Sequence, residues 1–90
     1  MAPLAAEPQP PIADAAPSDP QLTDYDRSHL VTYLRLLDAA EAAAPWEDVA
    51  RILLGLDTAG NPDASRRVYE AHLARARWMS DHGYRALLRD

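Results

Sequence analysis

Prolines divide this chain before any other signal does. Six of the eight stand in residues 1–21, at positions 3, 8, 10, 11, 17 and 20. The other two, Pro45 and Pro62, split residues 22–90 into three proline-free runs. Proline has no backbone N–H and pushes the preceding residue out of helical space, so each of these two marks a boundary between helices. The crowded first 21 residues, with spacers that are mostly Ala, Glu and Asp, cannot bury enough apolar surface to offset the entropy of ordering. They are expected to form a disordered tail, 1–21, ahead of one helical domain, 22–90. A Pro-rich ligand with local left-handed extended structure is the alternative, although no flanking basic residue supports an SH3-type motif.

Each later run carries apolar residues at helical spacing. The first helix is expected to start near Thr23–Asp26 and to reach about Ala43. Thr23, Asp24 and Asp26 offer capping oxygens and negative charge at the positive end of the helix dipole. Leu30, Tyr33, Leu34, Leu37 and Ala40 form its stripe. The second helix runs from Pro45 or Trp46 to Leu54, with Glu47 and Asp48 in its first turn, Gly55 as a left-handed cap and Leu56 as the hydrophobic follower. Residues 56–63 read as a loop. Asp63 is expected to cap a third helix that reaches about His82, with Val68, Tyr69, His72, Leu73, Ala76 and Met79 facing the core. Gly83 stops it, and Tyr84–Leu88 are expected to form a last short turn. The fold class predicted is all-α: a small three-to-four-helix bundle, helix-turn-helix-like, with a disordered Pro-rich N-terminal tail.

Several chemistries are disfavoured. The chain has no cysteine, hence no disulfide and no Cys-based zinc site, which fits a reducing cytoplasm. His29, His72 and His82 never pair at the spacing that puts two ligands on one helical face, and His72 falls in the apolar stripe as a core histidine bonded to a neighbour. The three glycines are too scattered to cradle a phosphate. The four serines lack a nucleophile-elbow context. No apolar run approaches the roughly 18 residues of a membrane span. No catalytic, metal or cofactor residue is therefore assigned, and no small-molecule ligand or membrane is expected.

Nucleic acid is the harder question. The second and third helices, joined by a glycine-containing loop, have the order of a helix-turn-helix. The outer face of the third would present Arg66, Arg67, Glu70, Ala74 and Arg77. Yet the chain holds 14 acids against 9 bases, a net charge of −5, and all the bases are Arg. Phosphate neutralisation supplies most nucleic-acid affinity, so this balance opposes it. The reading favoured is a protein-binding module with no nucleic acid as partner. A DNA reader using Arg66, Arg67 and Arg77 is the alternative. Arg66 and its neighbours otherwise read as a solvated face paired with Glu70 and Asp81.

Some apolar residues exceed the needs of one small core. Trp78 points off the third stripe, toward the side of Arg67, Ala71, Ala74 and Arg75. Val31 and Leu36 flank the first stripe, and Ile52 flanks the second. These predict a partner-binding surface of Trp78, Arg67, Ala74, Val31, Leu36 and Ile52. For Trp78 the alternative is cover by the C-terminal turn through Tyr84 or Leu88.

Two stretches carry a family resemblance. Trp46-Glu47-Asp48-Val49-Ala50-Arg51-Ile52-Leu53-Leu54-Gly55 resembles the second helix of a helix-turn-helix-like family of formerly unknown function, found in regulators of bacterial integrative and conjugative elements. His82-Gly83-Tyr84-Arg85-Ala86-Leu87-Leu88 resembles its C-terminal signature, and Arg66-Arg67-Val68-Tyr69 fits its third helix. The likeness covers about residues 23–90. Within the family the chain is most similar to an anti-activator of conjugative transfer. That likeness implies capture of transcriptional activators, one a LuxR-type quorum-sensing activator and the other element-encoded, without contact to DNA.

Overall fold

The protein is described from a computed structural model over residues 11–83. Four α-helices follow one another: α1 Asp24–Ser28, α2 Leu30–Glu41, α3 Trp46–Leu54 and α4 Pro62–Trp78. The last continues into a π-helical turn, Met79–Gly83. The molecule is an all-α bundle of the helix-turn-helix-like kind expected, and among the described residues no strand occurs. The final turn expected over Tyr84–Leu88 lies outside the described residues.

Helix starts follow the capping chemistry. Thr23 closes a capping box: its hydroxyl accepts from the Asp26 amide while the Asp26 carboxylate accepts from the Thr23 amide. Pro45 precedes α3 as its cap rather than standing inside it. At α4 the expected cap is displaced. Asn61 holds the cap position without a side-chain bond, Pro62 is the first helical residue, and Asp63 sits inside the first turn. The loop between α3 and α4 is organised instead by Asp57. Its carboxylate accepts from the Gly60 amide at 2.9 Å, and its carbonyl accepts from the buried Ser65 hydroxyl at 3.0 Å.

The first helix expected from sequence is two helices. His29 leaves helical geometry at φ −115° and ψ 20°, and its ring turns back so that Nδ1 lies 2.7 Å from the Tyr25 carbonyl. Breaking there shifts the buried face of α2 by about one residue. Thr32, Tyr33 and Leu36 are buried, while Leu34 is 44% exposed. α2, α3 and α4 all pack on one another around Tyr33, Leu36, Val49, Ala50, Leu54, Tyr69, Leu73, Ala76 and Met79. Leu36, expected on a partner-binding surface, is fully buried in this core. The whole expected α4 stripe is buried.

Two helices end in left-handed residues. Gly55 adopts φ 67° after α3, and the Leu56 amide reaches back to the Ala50 carbonyl. Ala43 adopts φ 58° after α2, with the Ala44 amide bonded back to the Ala39 carbonyl. A Cβ crowds the backbone in that region at a cost of roughly 1–2 kcal/mol. Ala43→Gly is therefore expected to stabilise the domain by about 1 kcal/mol, and Gly55→Ala to destabilise it by a similar amount. Urea titrations should show the midpoints moving in opposite directions at unchanged slope. An unmoved midpoint for Ala43→Gly would refute the cap assignment.

Candidate functional site

A buried polar knot fastens the ends of the described chain together. Asp26 is fully buried at the start of the bundle, and the Arg75 side chain, on α4, is only 4% exposed. The guanidinium grips the carboxylate with two bonds, Nε to Oδ1 at 3.0 Å and Nη2 to Oδ2 at 2.6 Å. The Tyr33 hydroxyl donates to Oδ1 at 2.9 Å, and the Thr23 hydroxyl donates to Oδ2 at 3.1 Å. Such a bidentate pair is tolerated away from water because every lone pair has a donor. Among the described residues, no buried side-chain nitrogen or oxygen lacks a partner.

The same arginine also holds the N-terminal segment. Nη1 donates to the Asp19 carbonyl at 2.7 Å and Nη2 to the Gln21 carbonyl at 3.0 Å. Further along, the Ala13 amide donates to the Tyr25 hydroxyl at 3.0 Å, and His29 Nε2 lies 3.1 Å from the Pro11 carbonyl. Residues 11–22 carry no helix, as their prolines require, but they do not hang free of the bundle. Where the sequence suggests a disordered tail, this part is held: the Arg75 guanidinium donates to two of its carbonyls, and the Tyr25 hydroxyl accepts from its Ala13 amide.

Titration of the knot can be derived from its contacts. Burial alone would raise the Asp26 pKa. The bonds from Arg75, from Thr23 and from Tyr33 outweigh it and bring the value from 3.8 down to about 2. His72 is buried, with Nδ1 donating to the Val68 carbonyl at 2.8 Å, so Nε2 accepts from the Tyr25 hydroxyl at 2.6 Å. Burial lowers its pKa from the ordinary 6.5, more than the Val68 contact raises it, and nearby His29 adds to the lowering. Both groups are depressed in the folded state, so the unfolded chain binds protons first as pH falls. Stability is therefore expected to be level from about pH 7 to about pH 9, to decline below that range as His72 demands protonation, and to lose roughly 2 kcal/mol more between about pH 4 and 2 through Asp26. Urea midpoints measured across this range test it. A stability that rises on acidification from neutral pH would contradict it.

The outward face of α4 shows Arg66, Arg67, Glu70, Ala74 and Arg77 exposed, as the helix-turn-helix reading expects. Of the three arginines on this face, Arg66 is paired within the protein. Five arginines lie between residues 46 and 78. Arg75 is bound to Asp26, Arg51 pairs with Asp48 at 3.2 Å, and Arg66 pairs with Glu70 at 3.2 Å. Arg66 also lies over the Trp46 ring, 5.4 Å from its centre. Arg67 and Arg77 remain without an acidic partner among the described residues, and the acids Glu47, Asp57 and Asp63 stand exposed on the same two helices and their loop.

The remaining expected partner-binding residues fall in two places. Ile52 is 69% exposed and lines an apolar cleft of about 290 Å³ between α2 and α3, with Arg35, Ala39 and Leu53. Val31, 60% exposed, stands one turn before Arg35 on α2. Exposed Leu34, absent from the expected set, adjoins this side because of the register shift in α2. On α4, Ala74 is exposed and Trp78 half-buried. The Arg75 guanidinium carbon lies over the Trp78 ring, 3.8 Å from its centre, and the His82 ring stacks with Trp78 at 6.1 Å between centres. Tyr84 and Leu88, the alternative cover for Trp78, lie outside the described residues.

Sequence reasoning placed Arg75 beside Trp78 on the outer side and missed its burial. The signal was present: Val68, His72, Arg75 and Met79 follow spacings of four, three and four, a core stripe in which the charge disguised one member. Among the described residues no cluster of three or more metal-ligating side chains occurs, and no helix is long and apolar enough to cross a membrane.

No curated protein matches this chain. A family model does, described as the T6SS transcription factor, DNA-binding domain (RovC_DNA-bd), and the match spans residues 5–89. That family is a domain of transcription regulators rather than an enzyme class. The match reaches further toward the N-terminus than the resemblance read from sequence. It takes in the segment that Arg75 holds. A helical bundle of this shape, matched over nearly its full length, belongs to the RovC DNA-binding-domain family of transcription-factor domains.

Proposed function

We propose that this chain is a cytoplasmic anti-activator. It would bind transcriptional activators and block them by protein–protein contact, without itself holding DNA. The sequence resemblance is to QseM, which points to a LuxR-type quorum-sensing activator and an element-encoded activator as targets, and to repression of conjugative transfer as the outcome. The observation that carries the reading is the state of the arginines on α3 and α4. Three of the five are engaged by Asp26, Asp48 and Glu70. A reader of duplex DNA gains its affinity by neutralising several phosphates. A chain of net charge −5 instead attracts the basic surfaces with which activators hold DNA, which speeds encounter more than it deepens binding. Val31, Leu34 and Ile52 are the exposed apolar anchors on one side, and Arg67, Ala74 and Trp78 belong to the other.

The family match favours a second reading, a small DNA-binding regulator using Arg66, Arg67 and Arg77. A mobility-shift titration of the purified chain on duplex DNA at low salt separates the two. The anti-activator shows no retarded duplex, and it releases a LuxR-type activator from its promoter fragment. Val31→Asp combined with Ile52→Asp should weaken that release at least about ten-fold at unchanged melting temperature. The rival predicts direct retardation whose log affinity falls against log salt with a slope of about −3, one phosphate for each of the three arginines.

A further inference from the structure

The N-terminal segment does more than cover the bundle. Residues 16–20 form one wall of a cleft of about 520 Å³, and Ala71, Ala74, Arg75 and Trp78 of α4 form the other. A single side chain makes the polar grip. Arg75 gives one N–H to the Asp19 carbonyl and another to the Gln21 carbonyl, two residues apart. Both acceptors are main-chain atoms, so this grip does not select the side chains of the segment. Selection falls to the apolar part. Pro17 and Ala16 are half-buried there, and the Trp78 ring stands half-buried beside the guanidinium.

These are the parts of a peptide site. The guanidinium is fixed from behind by the Asp26 carboxylate, so its outward N–H groups keep their aim without a partner in front of them. A flat indole accepts proline rings, and alanines one and two turns away let a backbone approach closely. Proline fixes the segment in an extended form before it binds and so lowers the ordering entropy. The hold on the segment is correspondingly slight. Ser18, Asp19, Pro20 and Gln21 are exposed, and water can replace both carbonyl acceptors.

We propose that the Arg75–Trp78 face of α4 is a binding site for an extended, proline-containing peptide segment. The chain's own residues 16–21 occupy it in cis, and a segment of the same chemistry on a partner polypeptide displaces them. This deepens the proposed function by naming what part of an activator would be gripped at Trp78, and it rests on that reading only for the identity of the partner.

The test uses the full chain and a fluorescent peptide carrying residues 11–22 of this sequence. Tethering makes the cis segment a competitor present at about millimolar effective concentration. Pro17→Gly together with Pro20→Gly in the full chain removes the proline rings from that competitor. The double variant should bind the peptide at least about ten-fold more tightly than the unaltered chain does, by fluorescence anisotropy. Adding Trp78→Ala to the double variant should abolish binding. Should that triple variant lose its helical circular dichroism, Ala74→Glu, at an exposed position, serves as the blocking change. Equal binding to both chains, no binding to the double variant, or binding indifferent to the blocking change would each overturn the site. No activator enters this assay. Its failure leaves the anti-activator reading standing, and retardation of duplex DNA would leave a positive peptide result standing.

Discussion

Arg75→Ala is expected to unfold the domain at room temperature and neutral pH. The substitution removes the bidentate partner of a carboxylate with no exposed surface, and leaves that carboxylate with only Tyr33 and Thr23 as donors. Breaking a buried pair from one side costs about 3–5 kcal/mol, because the survivor keeps its desolvation penalty. A bundle of this size draws only roughly that much net stability from its core. The loss also frees the Asp19 and Gln21 carbonyls and takes away the surface on which Trp78 rests. Far-UV circular dichroism and urea titration of Arg75→Met and of Arg75→Met with Asp26→Asn separate the charge from the packing. The double variant should be the more stable of the two, because it buries no unpaired charge. A double variant no better than the single would mean that the carboxylate reaches water once Arg75 is gone.

The second large effect concerns α2. Leu36→Ala should cost about 2–5 kcal/mol, the range for emptying a leucine site in a packed core. In a domain this small that corresponds to a melting temperature lower by about 10 °C or more. Leu34→Ala, at a site 44% exposed, should cost less than about 1 kcal/mol. The pair matters because periodicity alone suggests the reverse assignment, with Leu34 inside and Leu36 on a surface. Thermal melts of the two variants give opposite rank orders under the two registers.

That reversal shows what the sequence does and does not carry. In α4 and the turn after it the stripe positions recur at helical spacing, and every member of the expected stripe, Val68 through Met79, is buried. The caps at Thr23 and Gly55 were equally legible, since each is a local rule about one residue and its near neighbours. The break at His29 was not. It depends on a ring that reaches both the Tyr25 carbonyl and the Pro11 carbonyl, the second of them eighteen residues away. A helical stripe drawn through residue 29 then exchanges Leu34 and Leu36, although Tyr33 stays buried. The Asp26–Arg75 pair was hidden for the same reason, because its members stand forty-nine residues apart and each has a plausible local role, one as a cap and one as a surface charge. Of the expected surface residues, Val31, Ile52, Arg67 and Ala74 were readable as off-stripe positions and are exposed. The docking of residues 11–22 was invisible, because prolines and acids report only that a segment is not helical.

One guanidinium ties residues 19, 21 and 26 to residue 75, across separations of 56, 54 and 49 positions. Nothing nearer in the chain offers Asp26 an equivalent cation. During synthesis at roughly 5–20 residues per second, that carboxylate therefore waits several seconds after its own emergence before its counter-ion leaves the ribosome. α2 and α3 are complete in that interval, but the aspartate beneath them still requires water. The bundle consequently locks from its last helix backward, and a nascent chain arrested before residue 75 has the outline of the domain without its latch.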